Sequence, residues 1–128
     1  MSLNWQTLLA VGSGGFIGAI LRFYVGIVVS KNFPNDIPLA TLGVNVVGSF
    51  IMGLLVALFL IYTPSHLVKI FLLTGFLGAL TTYSTFAIES YFLLNTSLWL
   101  GILNITLNLI GSILAAASGY KLLTYFLK

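Results

Sequence analysis

The chain contains no cysteine. That excludes disulfides, thiolate metal sites and thiol nucleophiles, while leaving the redox compartment open. Charge is almost as scarce, at 5% of 128 residues, where a soluble domain carries about 25%. So few charges could not cover a water-facing surface. Histidine occurs once, as His66, and the acids are Asp36 and Glu89 alone. With no cysteine, no histidine inside an apolar segment and no carboxylate pair, the chain lacks the groups of an intramembrane enzyme. The net charge of +3 is small and scattered, which argues against a nucleic-acid partner. The N-terminus lacks a basic n-region and its apolar run continues past signal length, so no cleavable signal peptide is expected.

Hydrophobic residues are what the chain has, at 59% with a mean hydropathy of +1.14. About 20 apolar residues cross a hydrocarbon core, so this length suits an all-α integral membrane protein of four crossings, forming a single domain over residues 1–128. Span 1 covers residues 3–29 and carries the small pair Gly14 and Gly18 beside Gly15 and Ala19. Small residues let helix backbones approach where packing must drive association. Arg22 lies inside this run. Residues 31–38 form a polar turn with Pro34 and Pro38 as breakers. Span 2 covers residues 41–62, with Thr41, Asn45, Gly48 and Ser49 at helical spacing on one face. A short connection, residues 63–67, holds Pro64 and His66. Span 3 covers residues 69–94 and span 4 residues 98–123, the latter with a small-residue ladder of Gly111, Ala115 and Gly119.

Four crossings place Lys69, Lys121, Lys128 and His66 on one side, and Lys31, with Arg22 if it snorkels that way, on the other. The positive-inside rule counts such residues near span ends, and the bias here is weak. Insertion in both orientations is the expectation, which reporter fusions giving a single orientation would exclude.

Polar groups in hydrocarbon are costly unless they are bonded or face water. Asn45 is either an interhelical hydrogen-bonding residue or a donor that contacts a permeating ion or holds nearby aromatics. Arg22 either snorkels to headgroups or lines a wet vestibule that attracts anions. Glu89 is a proton site, a partner for a cation, or a vestibule residue. His66 reads as a solvated loop residue with no second ligand. Asn104, Asn108 and Ser112 recur every four residues along span 4; they bond to Asn45 or span 3, or border a water-filled track.

The stretch from Gly75 to Phe86 is the anomaly in span 3. Gly75 and Gly78 weaken a helix, and the hydroxyls from Thr81 to Thr85 can bond freed backbone groups. A break at mid-membrane exposes carbonyl oxygens that suit a small hard cation. It also exposes amide N–H groups that suit anions. Tyr83 and Phe86 share a helix face. Their ring edges are electropositive, and such edges can border the path of a small anion or simply pack.

Four patterns together resemble the signatures of the Fluc (CrcB) fluoride channel family. They are Gly14-Gly15-x-x-Gly18-Ala19-x-x-Arg22; Thr41-Leu42-x-x-Asn45-x-x-Gly48-Ser49-Phe50-x-x-Gly53; Thr74-Gly75-Phe76-x-Gly78-x-x-Thr81-Thr82-Tyr83-Ser84-Thr85-Phe86; and Asn104-x-x-x-Asn108-x-x-Gly111-Ser112. They are ordered, similarly spaced and cover essentially the whole chain. The resemblance implies four transmembrane helices with a broken third helix, paired as an antiparallel dual-topology homodimer in the cell membrane. It implies a fluoride path walled by Asn45, Tyr83, Phe86 and Ser112, with Ser84 nearby and Arg22 in an aqueous vestibule. It also implies a structural sodium ion (Na+) at the dimer centre on the carbonyls of Gly78 and Thr81. The implied function is passive fluoride export: hydrogen fluoride enters neutral, dissociates inside, and the anion leaves down the inside-negative potential. Tyr83 departs from the phenylalanine usual in the family, adding a hydroxyl that needs a partner. The alternative is a small dual-topology multidrug or cation exporter. That group resembles this chain in size but relies on an acid in span 1, where this chain has Arg22.

Overall fold

A computed structural model describes residues 2–127. Lys128, which counts toward the charge bias, lies outside the described residues. Each of four segments is long and apolar enough to cross a membrane: Trp5–Asn32, Leu39–Ile61, His66–Thr96 and Leu98–Phe126. These are spans 1 to 4. Three of the four spans start at a side-chain cap. Asn4 caps span 1 in a reciprocal capping box with Thr7, the side chain of each accepting from the other's amide. Ser65 caps the start of span 3 and Ser97 caps span 4. Most helix ends lie past the boundaries read from hydropathy, although span 1 starts at Trp5 and span 2 stops at Ile61. Span 1 continues to Asn32, and Ser97 alone separates spans 3 and 4. Hydropathy fades before backbone hydrogen bonding does, which explains the difference.

Packing follows the glycines, in two pairings. Span 1 lies against the first part of span 3, where a Cβ on Gly14 would strike the Phe71 carbonyl and one on Gly18 the Phe76 carbonyl. Span 2 lies against span 4, where Gly53 meets the Ala116 carbonyl and Gly119 the Phe50 carbonyl. Backbone touches backbone at both contacts, so dispersion acts over long stretches without bulky side chains holding the helices apart. A small apolar cluster of Val44, Leu77 and Leu80 joins the two pairs. Most large apolar side chains, Phe16, Ile20, Phe23, Ile113 and Leu114 among them, point outward. In water such a surface would aggregate; in hydrocarbon it is the solvated state.

Span 3 is the irregular element. It is α-helical over His66–Lys69, widens to a π-helix over Ile70–Leu77, returns to α over Gly78–Leu80, stops, and restarts as the helix Tyr83–Thr96. The stop is at Thr81 and Thr82, which are both extended. The break therefore falls just beyond the glycines expected to cause it. Gly75 serves packing, since its Cα faces Val11 and Gly14 of span 1, and Gly78 is helical. What ends the helix is competition for the Thr82 amide, which the Asn45 side chain of span 2 takes from the helix ladder.

Candidate functional site

The interruption is held open by one side chain. The Thr82 amide donates to Asn45 Oδ1 at 2.8 Å, and Asn45 Nδ2 donates to the Thr82 carbonyl at 3.0 Å. The asparagine amide thus mimics a strand partner and satisfies both main-chain groups of one residue. Its second Nδ2 proton goes to Asn108 Oδ1 at 2.9 Å. Both donor protons of Asn45 are engaged by protein. Asn45 makes the interhelical bonds expected of it, and by holding the break it also fixes where the helix that carries Tyr83 and Phe86 begins. Thr82 then caps the second helix, its Oγ accepting from the Thr85 amide at 3.2 Å.

The same bonds strip two carbonyls of their usual donors. In a continuous helix the Gly78 carbonyl would accept from the Thr82 amide, and the Thr81 carbonyl from that of Thr85. The first amide is taken by Asn45 and the second by Thr82 Oγ. Gly78 lies exposed and Thr81 half-buried at the surface of the subunit. Two main-chain oxygens without helical partners are the donor chemistry that suits a hard monovalent cation, so the residues present fit the expected sodium site.

Beyond the break, Tyr83 and Phe86 meet edge to face, with ring centroids 5.4 Å apart and planes at 68°. They occupy different depths: Tyr83 is 73% exposed and Phe86 5%. Both line a cavity of about 260 Å³ that also takes in Asn45, Ser49, Asn108 and Ser112. The structure therefore brings together four of the expected pathway residues, Asn45, Tyr83, Phe86 and Ser112. Ser84 is exposed and is not among the residues lining that cavity.

Arg22 is in the neighbouring cavity, about 550 Å³, with Ser30, Thr41, Thr82, Thr85 and Glu89. Glu89 Oε1 accepts from the Thr41 hydroxyl at 2.9 Å, and Oε2 is buried without a partner among the described residues. Arg22 and Glu89 thus line the same cavity. Thr82 lines both cavities.

The polar stripe of span 4 divides. Asn104 and Asn108 are buried, with Asn108 Nδ2 donating to the Asn104 carbonyl at 3.0 Å and Asn104 Nδ2 donating to Ser90 Oγ at 3.0 Å. Ser112 lines the cavity. Sequence reasoning gave no individual role to Thr82 or Ser90. Thr82 carried a signal, since a threonine before a helical run with a hydroxyl three residues on reads as an N-cap. Ser90 carried none until its partner across the fold was known.

Comparison with known proteins bears on this arrangement. The model of the family described as CrcB-like protein, Camphor Resistance (CrcB), matches residues 9–120. A Sulfurimonas denitrificans protein named fluoride-specific ion channel FluC is 57% identical over 128 residues, covering 98% of this chain and 99% of its own length. A protein of the same name from Nautilia profundicola is 43% identical over 98% of this chain and 100% of its own length. One from Campylobacter jejuni strain RM1221 is 50% identical over 90% of this chain and 95% of its own length. Four membrane-spanning segments around an interrupted third define a small multi-pass protein of the cell membrane. The chain belongs to the CrcB family.

Proposed function

We propose that the protein is a fluoride-selective channel that lets the anion leave the cell passively. The observation that carries this is the break in span 3, which seats the Tyr83–Phe86 pair beside Ser112 in the narrow cavity of about 260 Å³, which shares Thr82 with the wider one. The Sulfurimonas and Nautilia relatives bear the name of such a channel.

The wide cavity receives the hydrated ion between Arg22 and the threonine hydroxyls. At the narrow cavity, water is exchanged for hydroxyl donors of Ser49 and Ser112 and for the electropositive edges of the rings. Weak, multiple contacts of this kind let an ion both enter and leave. Fluoride, small and a strong hydrogen-bond acceptor, gains more from them than chloride does. Flow follows the membrane potential, which drives about 2.3 kcal/mol per charge per 100 mV. No reaction is catalysed, so the protein is not an enzyme.

The working form is an antiparallel homodimer. Tyr83 is exposed at mid-membrane, and the narrow cavity is open on the subunit surface. A second copy inserted the opposite way supplies the missing wall. The carbonyls of Gly78 and Thr81 would hold a sodium ion between the copies; bound there, it supplies a buried positive charge beside the anion path. The exporter alternative draws no support from these relatives or from span 1.

The test is fluoride efflux from liposomes holding purified protein, with chloride as the control. Fluoride release that is fast, needs no nucleotide and no cation gradient, and leaves chloride behind is expected. Fluoride release equal to that of protein-free liposomes overturns the proposal.

A further inference from the structure

Span 4 departs from a simple polar track. Asn104 is 0% exposed and so cannot meet an ion without the helices parting. Its side chain belongs instead to a chain of amides that runs one way. Asn45 donates to Asn108, Asn108 donates to the main-chain carbonyl of Asn104 and to its Oδ1 at 3.2 Å, and Asn104 donates to Ser90 Oγ. At the other end Asn45 holds Thr82 by both main-chain groups. The two ends of this relay therefore land on the same helix, Tyr83–Thr96, at its cap and at Ser90.

Between those anchors is Phe86. Thr82, Phe86 and Ser90 follow one another at intervals of four, so they share one face, and all are buried. A helix that starts after a break is free to rotate about its axis and slide along it. One anchor at its first residue fixes position but leaves rotation. A second anchor two turns later on the same face fixes rotation too.

We propose that Ser90 and Asn104 are positioning residues for conduction: through their hydrogen bond they set the rotation of the second helix of span 3, and so the placement of the Phe86 ring in the narrow cavity. The inference rests on the channel reading of the protein. Neither residue touches the ion. The chemistry fits the surroundings, because a buried amide–hydroxyl bond has no water to replace it and its loss leaves groups that must seek new partners.

The experiment is single-channel fluoride recording, with the fraction of active liposomes counted in parallel, on wild type, Ser90→Ala, Asn104→Leu and the double variant. Each single variant is expected to lower the unit fluoride current by about tenfold, as loss of one buried bond allows, with the active fraction kept. The double variant is expected to lose no more than Asn104→Leu alone, because the only bond Ser90→Ala removes is already gone in that variant. Unit currents unchanged in the single variants, or losses that multiply in the double, overturn the proposal. So does a fall in active fraction alone, which marks a merely structural role. Should Asn104→Leu fail to assemble, Ser90→Ala decides, since it removes one oxygen. A wild type without fluoride current overturns the channel reading and this inference with it. An active wild type with unaffected variants overturns this inference alone.

Discussion

Replacing Asn45 with leucine, which is close in volume, removes the clamp without emptying the site. Three hydrogen bonds disappear: from the Thr82 amide at 2.8 Å, to the Thr82 carbonyl at 3.0 Å and to Asn108 Oδ1 at 2.9 Å. All three partners are in buried residues. Interhelical bonds in membranes average about 0.6 kcal/mol each, because the separated helices find other partners. Main-chain groups at a break have fewer such partners, and an orphaned buried group costs about 1–3 kcal/mol. The expected destabilisation is therefore about 2–5 kcal/mol, with the lower figure set by the membrane average. The effect on flux should be larger than stability alone explains. With the Thr82 amide released to the Gly78 carbonyl, the helix can close across the break and turn Tyr83 and Phe86 away from the cavity. Equilibrium unfolding in detergent, paired with liposome fluoride efflux, measures both consequences. If Asn45→Leu unfolds within about 0.5 kcal/mol of wild type, the range of an inconsequential substitution, and conducts normally, then Asn45 does not hold the break.

Three further outcomes are expected. Phe86→Ile keeps a buried apolar side chain but loses the ring edge, so fluoride flux should drop by about tenfold or more while assembly persists; efflux together with cross-linking would show this. Gly78→Val should leave the single subunit intact, since a Cβ there meets only the Leu73 carbonyl at 3.6 Å, yet block pairing on that exposed face, read as loss of dimer in cross-linking and loss of flux. Gly18→Leu should destabilise the subunit itself by about 1–3 kcal/mol or more, because even a Cβ collides with the Phe76 carbonyl; unfolding in detergent reports it.

Much of the architecture is legible in the sequence because the bilayer sets the length of each apolar run, and the four spans followed from that. Glycine spacing was informative for the same reason: Gly14, Gly18, Gly53 and Gly119 do lie at backbone contacts. The position of the break was less legible. Glycine propensity drew attention to Gly75 and Gly78, but the helix stops at Thr81 and Thr82 because Asn45, far away in sequence, takes the Thr82 amide. That is a tertiary event that no local pattern encodes. Span 4 has a geometric explanation. Residues four apart advance about 40° beyond a full turn, so Ser112 is about 80° around the helix from Asn104. A stripe that looks uniform in sequence therefore turns from the buried interior at Asn104 to the cavity wall at Ser112. Asn45, Tyr83, Phe86 and Ser112, distant in sequence, line one cavity, whereas Ser84 is exposed and is not among its lining residues.

The central claim is that fluoride itself is the permeating ion, uncoupled to any other. A planar bilayer containing the protein, with fluoride on one side and chloride on the other and the same cation on both, tests it most directly. The voltage at zero current should move with the fluoride concentration by nearly 59 mV per tenfold change, the single-charge limit, and ignore chloride and the cation. A zero-current voltage that follows chloride, or that shifts with the cation or proton gradient, would contradict the claim.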